Sequence, residues 1–572
     1  MSGTRRQARR WIEQDPDPRT REELEALLAA WDEDPAAAAE LRARFAGQLA
    51  FGTAGLRAEL GGGPMRMNRV VVAQAAAGLA AFLLRSPDEE APTAAPPDRL
   101  RSSPLVVVGY DGRESSDVFA RDAAEVLAGA GIRVSLLPRA LPTPVLAFCV
   151  RHLDAAAGVM ITASHNPPRD NGMKVYLGGA DGGSQIVPPA DAEIAAAIAR
   201  VAKGSVADLP RSGGIEVLGE GVVDAYVEAA ARAAGPEAAG AGGIRVAYTA
   251  MHGVGLATLR RAFAAAGLRE PLVVPEQAEP DAAFPTLVFP NPEEPGALDL
   301  ATAFATAHAA DLVVANDPDA DRLAVAVPDA TAPGGWRRLT GNDVGLLLGW
   351  EAAAAAATRG DEEPRAMLAS SLVSSPGLAA IAEHHGLGHV ETLTGFKWIS
   401  RVPGLVFGYE EALGYLVNPD RVRDKDGISA AVRFVALAGR WRAAGYSVDE
   451  ALDALAERIG GTASGQVSIR VDDLDEIVRL TDRLRAEPPA AIAGRAVVRA
   501  VDRLADAEHA ADLLRYDLED GSRVIVRPSG TEPKLKAYLD ARSEEGTGRE
   551  RRAAAAAIVV ELERSVRELL GC

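Results

Sequence analysis

A unit of strand, turn, helix and strand that occurs three times constrains the fold of this chain most. Each unit begins with an apolar run, passes through a polar turn such as Asp111-Gly112-Arg113 into a helical stretch, and ends in a second apolar run. The three units cover residues 105–136, 244–274 and 367–393. Units of this size and order are typical of βαβ elements, in which a crossover helix joins two parallel strands of one sheet. The repetition therefore predicts three similar mixed α/β domains.

The end of the chain has a different pattern. Strand candidates here are not separated by regular helices, and they cover residues 466–471, 496–501, 522–526 and 535–539. Together with two helical stretches they predict a smaller C-terminal α+β domain. We thus expect an α/β protein of four domains.

Two other segments complete the expected organisation. Apolar residues at helical spacing, among them Leu24, Leu28 and Leu41, predict helices in the first fifty residues. The segment 86–104 is rich in proline and polar residues, and we expect it to be a surface insertion. A chain of 572 residues is long enough for several domains. The expected domains cover residues 1–210, 211–332, 333–456 and 457–572.

Composition argues against several classes of protein. The formal net charge of −19 disfavours nucleic acid as a partner, because phosphate-backbone binding depends on clustered Lys and Arg. No apolar run reaches the length of about 20 residues that a membrane span needs, and the polar first residues lack a secretory signal. The two cysteines, Cys149 and Cys572, are too few for a disulfide framework. We expect a soluble cytoplasmic enzyme that can still bind a small anion through a few focused basic residues.

One serine is the first candidate for chemistry. The apolar run 158–161 leads into the polar loop 162–168, Thr-Ala-Ser-His-Asn-Pro-Pro. Open α/β sheets bind ligands at the carboxyl ends of their strands, so Ser164 is a candidate nucleophile and His165 a candidate proton carrier. An ordinary turn of Ser, Asn and Pro has the same composition, and that alternative stays open here.

Three aspartates follow another apolar run. Residues 311–315 lead into Asp317, Asp319 and Asp321, which stand at alternate positions. In an extended loop such side chains share one side, so their carboxylates can converge on Mg²⁺. Solvated surface aspartates are the alternative, but packing them without a cation costs about 4 kcal/mol for each pair 4 Å apart at an effective dielectric of 20.

Two other metal motifs begin in the same way. An EF-hand requires glycine and glutamate where this chain has Arg322 and Pro328, so that interpretation fails. A phosphatase of the haloacid dehalogenase type uses the first aspartate of Asp-x-Asp as its nucleophile, usually with Thr or Val in the place of Asp321. That class remains the second interpretation of the loop.

Polar loops later in the chain are suited to sugar and phosphate binding. The segment 407–415 contains Glu410 and Glu411, and paired carboxylates can accept hydrogen bonds from neighbouring sugar hydroxyls. The segment 527–534 provides one guanidinium, two hydroxyls and a glycine, a combination that can hold a phosphate or simply form a hairpin turn. Its candidate ligands are Arg527, Ser529, Gly530 and Thr531.

Three basic residues near glycine-containing turns are weaker candidates, because lone basic residues are usually solvated. They are Arg57, Lys174 and Lys397. No nucleotide cofactor is indicated, since the chain lacks a GxxxxGK[ST] loop and the turn Gly253-Val254-Gly255 has Thr258 in place of the third glycine of a dinucleotide motif.

In combination these loops resemble the α-D-phosphohexomutase superfamily of phosphoglucomutases and phosphomannomutases. The resemblance rests on TASHNP, DPDADR and RPSGTEPK, and it extends from about residue 40 to the end. It implies four domains around a central cleft, and an enzyme that interconverts sugar 1-phosphates and 6-phosphates, with glucose as the expected sugar. A phosphoserine would donate to the sugar phosphate, and a sugar 1,6-bisphosphate would be the intermediate and activator.

The resemblance also implies roles for individual residues. Ser164 would be the phosphoserine and, with the three aspartates, would bind one Mg²⁺ per chain. His165, Lys174, Arg57 and Arg322 would serve proton transfer and charge stabilisation. The sugar and its remote phosphate would be held by Glu410, Lys397, Arg527, Ser529, Gly530 and Thr531.

The sequence leaves the substrate open. Many members of the superfamily have serine two positions after the sugar-binding glutamate, where this chain has Ala412, and its loops are closer to the branch of phosphoglucomutase 2 and the phosphopentomutases. Phosphopentomutase and phosphomannomutase activities are therefore alternatives, and a metal-dependent sugar phosphatase or a sugar-phosphate binding protein is a more distant one. We expect sugar phosphates as partners, no nucleic acid or membrane, and a monomer or homodimer.

Overall fold

The chain is divided into two compact units. The computed structural model describes residues 3–85, 103–235, 243–358, 364–470, 474–505, 511–528 and 534–571. The first unit comprises Met1–Arg337 and Asn418–Ala436, and the second comprises Arg338–Val417 and Leu437–Cys572. Most of the expected insertion at 86–104 lies outside the described residues.

Three helices begin the first unit, as the sequence predicts. They are α1 (Gly3–Gln14), α2 (Pro18–Ala30) and α3 (Pro35–Arg44). Asp17 and Asp34 cap α2 and α3, each accepting a hydrogen bond from a backbone N–H of the first turn. Leu24 and Leu41 are fully buried in the core that these helices share with the first sheet.

A seven-stranded sheet follows in the first unit. Its elements are β1 (Leu56–Glu59), α4 (Arg69–Leu83), β2 (Leu105–Tyr110), α5 (Ser116–Gly129), β3 (Arg133–Leu136), α6 (Thr143–His152), β4 (Ala157–Ile161), β5 (Asp170–Leu177), β6 (Ser184–Gln185), α7 (Ala190–Val201) and β7 (Ile215–Val217). The strand order is β1-β5-β4-β2-β3-β7, with β6 beside β5. Strands β2, β3, β4 and β7 are parallel, while β1 and β5 are antiparallel to their neighbours. Both α5 and α6 pack on β2 and β4, which explains the uninterrupted apolar runs of these strands.

A five-stranded sheet completes the first unit. The elements in this part of the chain are α8 (Gly221–Arg232), β8 (Val246–Thr249), α9 (Gly255–Ala265), β9 (Leu272–Val273), α10 (Asp299–Ala307), β10 (Leu312–Ala315), β11 (Ala324–Pro328) and β12 (Trp336–Arg338). The strand order is β12-β11-β10-β8-β9, and β8 is parallel to both β9 and β10. Strand β10 ends directly before the aspartate loop, so the carboxyl end of a buried strand positions that loop.

The second unit contains a four-stranded sheet of order β14-β13-β15-β16. The elements of this region are α11 (Gly341–Ala357), β13 (Met367–Ser371), α12 (Gly377–His384), β14 (Gly388–Thr392), α13 (Phe396–Ile399), β15 (Leu405–Glu410), β16 (Gly414–Leu416), α14 (Gly427–Ala443) and α15 (Val448–Ile459). Of these, α14 begins in the first unit and ends in the second. Strand β13 is parallel to β14 and β15. All three predicted βαβ units are thereby confirmed, each with its two strands parallel and adjacent.

The last region is α+β, as predicted, and its sheet is antiparallel. Its elements are β17 (Gly461–Arg470), α16 (Leu474–Ala486), β18 (Ala491–Ile492), β19 (Arg495–Asp502), β20 (Leu514–Leu518), β21 (Arg523–Pro528), β22 (Lys534–Ser543) and α17 (Gly548–Leu570). The strand order is β17-β22-β21-β20-β19-β18. The sequence analysis did not predict β20, although its buried Leu514, Tyr516 and Leu518 alternate with polar residues.

Among the described helices, none is both long enough and apolar enough to traverse a lipid bilayer.

Candidate active site

Ser164 lies in the loop that follows β4, and its backbone conformation is unusual. Its φ is 52°, in the left-handed region that residues other than glycine rarely adopt. Its backbone N–H donates to the Thr162 hydroxyl at 2.8 Å, and only 3% of the residue is exposed. Strained backbone of this kind persists where the surroundings hold it in place, and it is concentrated at functional sites.

Arg113 holds this loop in place. Its guanidinium donates to the carbonyl oxygens of Ser164 at 2.6 Å and Asn166 at 2.7 Å. It also donates to the carbonyls of Pro167 at 2.8 Å and Asp170 at 3.0 Å. Hydrogen bonds from a charged donor are stronger than neutral ones, so one buried side chain fixes both ends of the loop. The sequence analysis treated residues 111–113 only as a turn and missed this role.

We expect Arg113→Lys to lower kcat by about 100-fold, because misplacing a reacting group by about 1 Å has an effect of that size. Lysine keeps the charge but cannot reproduce the fork of a guanidinium. The measurement is steady-state turnover with each variant's melting temperature as a check on folding. Arg133→Lys is the matched control, since Arg133 is an exposed arginine of the same sheet whose guanidinium donates to the Ser103 carbonyl. Full activity of Arg113→Lys would show that the loop does not depend on this clamp.

The three aspartates that follow β10 converge. One carboxylate oxygen from each of Asp317, Asp319 and Asp321 lies within 4.8 Å of the others, and all three residues are buried. Among the described residues, Asp319 Oδ1 and Asp321 Oδ1 are buried oxygens without a hydrogen-bond partner. Hard cations such as Mg²⁺ take carboxylate oxygens as ligands. The donor set and its two unpaired oxygens therefore fit a divalent cation.

The charges around the triad support the same conclusion. Burial, and then the neighbouring Asp319 and Asp321, raise the pKa of Asp317 well above its ordinary value. Lys174 Nζ lies 2.8 Å from Asp319 and 2.9 Å from Asp321. Burial alone lowers the pKa of Lys174, but the two carboxylates outweigh burial and raise the pKa. A cation bound at the triad would oppose the effect of burial and of the two neighbouring carboxylates, and would favour the charged form of Asp317.

Ser164 joins the triad through its side chain. Its hydroxyl donates to Asp317 Oδ2 at 2.8 Å and lies 3.1 Å from His165 Nδ1. Thr143, at the start of α6, holds the aspartate loop in place, because its hydroxyl and its N–H donate to Asp319 at 2.6 and 2.9 Å. Burial lowers the pKa of His165 well below its ordinary value. The serine therefore lies between the carboxylate triad and an imidazole.

Both arginines predicted for this site lie beside the same two loops. Arg57, on β1, donates to the Asn166 side chain at 2.9 Å. The backbone N–H of Arg322 donates to Asp317 at 2.9 Å, and its guanidinium lies 3.4 Å from Glu293. The first unit thus brings together all the residues for which catalysis or metal binding was predicted from the sequence: Arg57, Ser164, His165, Lys174, Asp317, Asp319, Asp321 and Arg322.

Lys425 is a second lysine at the triad that the sequence analysis missed. Its Nζ lies 3.3 Å from Asp321 and 3.7 Å from Asp424. Asp424 also accepts hydrogen bonds from the Tyr176 hydroxyl at 2.7 Å and from Gln185 at 2.6 Å, both in the first sheet. Alternating charges at 424–426 are typical of a solvated surface in sequence, and only the fold shows that they are buried.

The second unit contains the residues predicted to bind the sugar. Glu410 is the last residue of β15, and Lys397 lies on α13, which packs against β15. The carboxylate of the next residue, Glu411, accepts hydrogen bonds from Ser371 at 3.0 Å and Ser374 at 2.8 Å. These serines hold Glu411 against the end of β13.

The predicted phosphate-binding loop is described only in part. Arg527 is half-buried on β21, where its Nε donates to the Pro528 carbonyl at 3.3 Å. The other predicted ligands, Ser529, Gly530 and Thr531, lie outside the described residues. The roles given to Arg527 and to these three residues stay predictions.

The sheets define an α/β protein, and its buried serine contacts a carboxylate triad that fits a divalent cation. Four models of the phosphoglucomutase/phosphomannomutase family, for α/β/α domains I, II and III and the C-terminal domain, match residues 48–205, 224–332, 340–459 and 470–557. The chain belongs to this family, and it is an isomerase that interconverts sugar phosphates by phosphotransfer.

Individual relatives agree with this assignment. A Haemophilus influenzae protein named "Probable phosphomannomutase" is 51% identical over 506 residues, which are 88% of this chain and 98% of that protein. The human protein named "Phosphopentomutase" is 33% identical over 577 residues, which are 93% of this chain and 90% of that protein. A crystal structure of a phosphoglucomutase/phosphomannomutase family protein from Burkholderia thailandensis has the same fold, with a TM-score of 0.65 at 20% identity, and the match covers 91% of this chain and 98% of that one.

Proposed function

We propose that this protein interconverts sugar 1-phosphates and the corresponding terminal phosphates through a phosphoserine at Ser164. The contact of Ser164 Oγ with Asp317 at 2.8 Å, inside a buried carboxylate triad, is the observation that carries the proposal. A hydroxyl at this position can be phosphorylated only where cations balance the charge, since a phosphoserine adds a charge of about −1.5 to −2 at neutral pH. Lys174 and Lys425 supply positive charge from the protein.

The reaction proceeds by two transfers in opposite directions. In the first, the phosphoserine P–Oγ bond breaks while the terminal sugar hydroxyl forms a new P–O bond and loses its proton, which gives a sugar bisphosphate. The bisphosphate then turns around, and Ser164 takes the phosphate from carbon 1 while that sugar oxygen gains a proton. His165, 3.1 Å from Ser164 Oγ, can hold a proton beside the reacting oxygen.

Asp317, Asp319 and Asp321 would hold Mg²⁺ together with Ser164. The cation, when bound, supplies electrostatic stabilisation to the transferring phosphoryl group. The residues of the chain keep the ligands in position: Lys174 and Thr143 fix Asp319, while the Arg322 backbone fixes Asp317.

Glucose 1-phosphate stays the predicted substrate, with mannose 1-phosphate and pentose 1-phosphates as alternatives. The names of the relatives support both alternatives, and Ala412 supports relaxed discrimination, because an apolar contact separates similar sugars only weakly. The test compares kcat/KM for glucose, mannose, ribose and deoxyribose 1-phosphates, with a catalytic amount of hexose bisphosphate. A tenfold preference for a pentose phosphate would make phosphopentomutase the better description. Release of inorganic phosphate would indicate a phosphatase, and affinity without turnover would indicate a binding protein.

Arg527→Ala is expected to raise KM for the sugar phosphate strongly and to lower kcat. Loss of a guanidinium that orients the remote phosphate affects both binding and the alignment of the reacting atoms. Steady-state kinetics with the preferred 1-phosphate measure both constants. Arg499→Ala is a suitable control because Arg499 is an exposed residue on β19 of the same sheet. An unchanged KM would move the phosphate site away from Arg527.

A further inference from the structure

Arg523 is a buried arginine at the start of β21, the strand that also contains Arg527. Only 3% of its side chain is exposed. Its Nε donates to Asp540 of β22 at 2.8 Å, and Nη1 donates to Glu391 of β14 at 3.0 Å. Its Nη2 donates to the backbone carbonyl of Ser374. One guanidinium thus joins the C-terminal sheet to two segments of the four-stranded sheet.

Ser374 connects this arginine to the loop that is predicted to bind the sugar. The Ser374 hydroxyl donates to the Glu411 carboxylate at 2.8 Å and accepts the Glu411 backbone N–H at 3.0 Å. Glu411 is the neighbour of Glu410 in the chain. A continuous set of hydrogen bonds therefore leads from Arg523 on β21 to the residue beside the predicted sugar ligand.

A second connection runs through the partner of Arg523. Asp540 accepts a hydrogen bond from the Ser464 hydroxyl at 2.6 Å, and Ser464 accepts one from the Asn342 side chain at 2.8 Å. Asn342 in turn accepts the backbone N–H of Ser375 at 2.8 Å and the Tyr409 hydroxyl at 3.0 Å. Both connections end in the same two segments, which are the loop after β13 and the stretch formed by β15 and the residue that follows it.

Apolar side chains also pack between the loop after β13 and the C-terminal sheet, beside this hydrogen-bond network. A separate cluster of side chains joins the loop after β13 to the C-terminal sheet, and its buried members are Leu372, Val373, Leu513, Ile525 and Tyr538. A buried ion pair is weak support for stability, because the cost of desolvation offsets the attraction. A guanidinium with partners in three directions instead specifies geometry, since its donors have fixed directions.

We propose that Arg523 is a positioning residue that sets the separation between the sugar-binding loop at Glu410 and the phosphate-binding strand at Arg527. The proposal rests on the proposed function, and it adds a basis for substrate choice. Arg523 and Arg527 are four residues apart on β21, so their side chains leave the same face of the strand. The furanose ring of a pentose phosphate contains one carbon fewer than the pyranose ring of a hexose phosphate, so the distance from the sugar hydroxyls to the terminal phosphate differs between them. If the separation between the sugar-binding loop and the phosphate-binding strand is fixed, only one of the two sugar phosphates can contact both well.

The test is the ratio of the affinities for glucose 6-phosphate and ribose 5-phosphate, measured by calorimetry on the full-length protein. We expect the wild type to favour one ligand, and Arg523→Lys to reduce that preference by about tenfold, the lower end of the range over which proteins discriminate ligands that differ in size by one carbon. Lysine retains the charge but cannot engage three partners in fixed directions. The phosphate content of Ser164, measured by intact mass, should be unchanged.

Two further variants separate positioning from general damage. Arg523→Met combined with Asp540→Asn removes both buried charges, which avoids leaving one of them unpaired, and it should reduce the preference in the same way. Arg515→Met is the matched control: Arg515 also pairs with Glu391, at 3.2 Å, but its side chain is 28% exposed and its other ion pair is to Asp517 on its own strand. It should leave the preference as in the wild type.

Three outcomes would overturn the proposal. They are an unchanged preference in folded Arg523→Lys, an equal loss in Arg515→Met, and equal affinity of the wild type for the two ligands. The binding ratio does not depend on turnover. A protein that shows the expected shift but no mutase activity would therefore refute the proposed function and leave the role of Arg523 supported.

Discussion

Ser164→Ala is expected to lose roughly 10⁴-fold or more in kcat, as deletion of a nucleophile does in other enzymes. The hydroxyl of Ser164 is the only group that the proposed reaction uses covalently, and its contacts with Asp317 and His165 place it inside the triad. Alanine fits the same space, so the fold should remain intact. The wild type should show a phosphate adduct by intact mass, and the variant should show none.

Ser135→Ala is the matched control for this experiment. Ser135 is a buried serine on β3 of the same sheet, and its hydroxyl donates to Glu216 at 3.0 Å. Its replacement should leave kcat and the phosphate adduct unchanged. Undiminished turnover of Ser164→Ala would mean that the phosphoryl group is transferred to another residue or directly between substrates.

The sequence predicts the architecture because its pattern is local. Each βαβ unit has its strands and helix in sequence, and crossover connections force such strands to be parallel. The observed pairs β2–β3, β8–β9 and β13–β14 agree with that expectation. Strand β20 was missed because it is only five residues long. Its apolar residues Leu514, Tyr516 and Leu518 alternate with polar ones, and so short an alternation is a weak signal when the neighbouring strands are unknown.

The residues of the candidate site also differ in whether the local sequence could predict them. Ser164 and the aspartates could be found because each group follows an apolar strand and has an unusual local composition. Lys425 and Arg113 could not, because their significance comes from contacts with segments far away in the chain. Arg113, in the turn after β2, contacts the loop after β4. Lys425 contacts Asp321, although in the sequence all the strands of the four-stranded sheet lie between these two residues.

The same limit applies to Arg523. In sequence it is one arginine at the start of a strand candidate, and nothing local distinguishes it from the exposed arginines of this region. Its three partners come from the loop after β13, from β14 and from β22, so its role becomes evident only when the two sheets of the second unit are packed together. The four domain boundaries and the cytoplasmic location stay predictions.

Asp319→Asn is expected to weaken Mg²⁺ binding by at least about 100-fold, since changing even an outer-shell partner of a metal ligand costs about 10–100-fold. Asp319 contributes one of the three buried carboxylates of the triad, and its Oδ1 is one of the two oxygens of the triad that lack a hydrogen-bond partner among the described residues. Asparagine keeps the shape and one oxygen but removes the negative charge that a hard cation selects. Turnover at a fixed Mg²⁺ concentration should fall accordingly.

Calorimetric titration with Mg²⁺ and turnover after chelation measure this effect directly. Wild-type activity should disappear on removal of divalent cations and return when Mg²⁺ is added. Mg²⁺ should also raise the melting temperature of the wild type more than that of the variant, because a ligand stabilises the folded state in proportion to the logarithm of its concentration over Kd. Asp311→Asn is the control, since Asp311 lies before β10, at the end opposite the triad, and accepts the Arg245 backbone N–H at 2.8 Å. Activity that resists chelation, or equal Mg²⁺ affinity in Asp319→Asn and Asp311→Asn, would show that the triad is not the metal site.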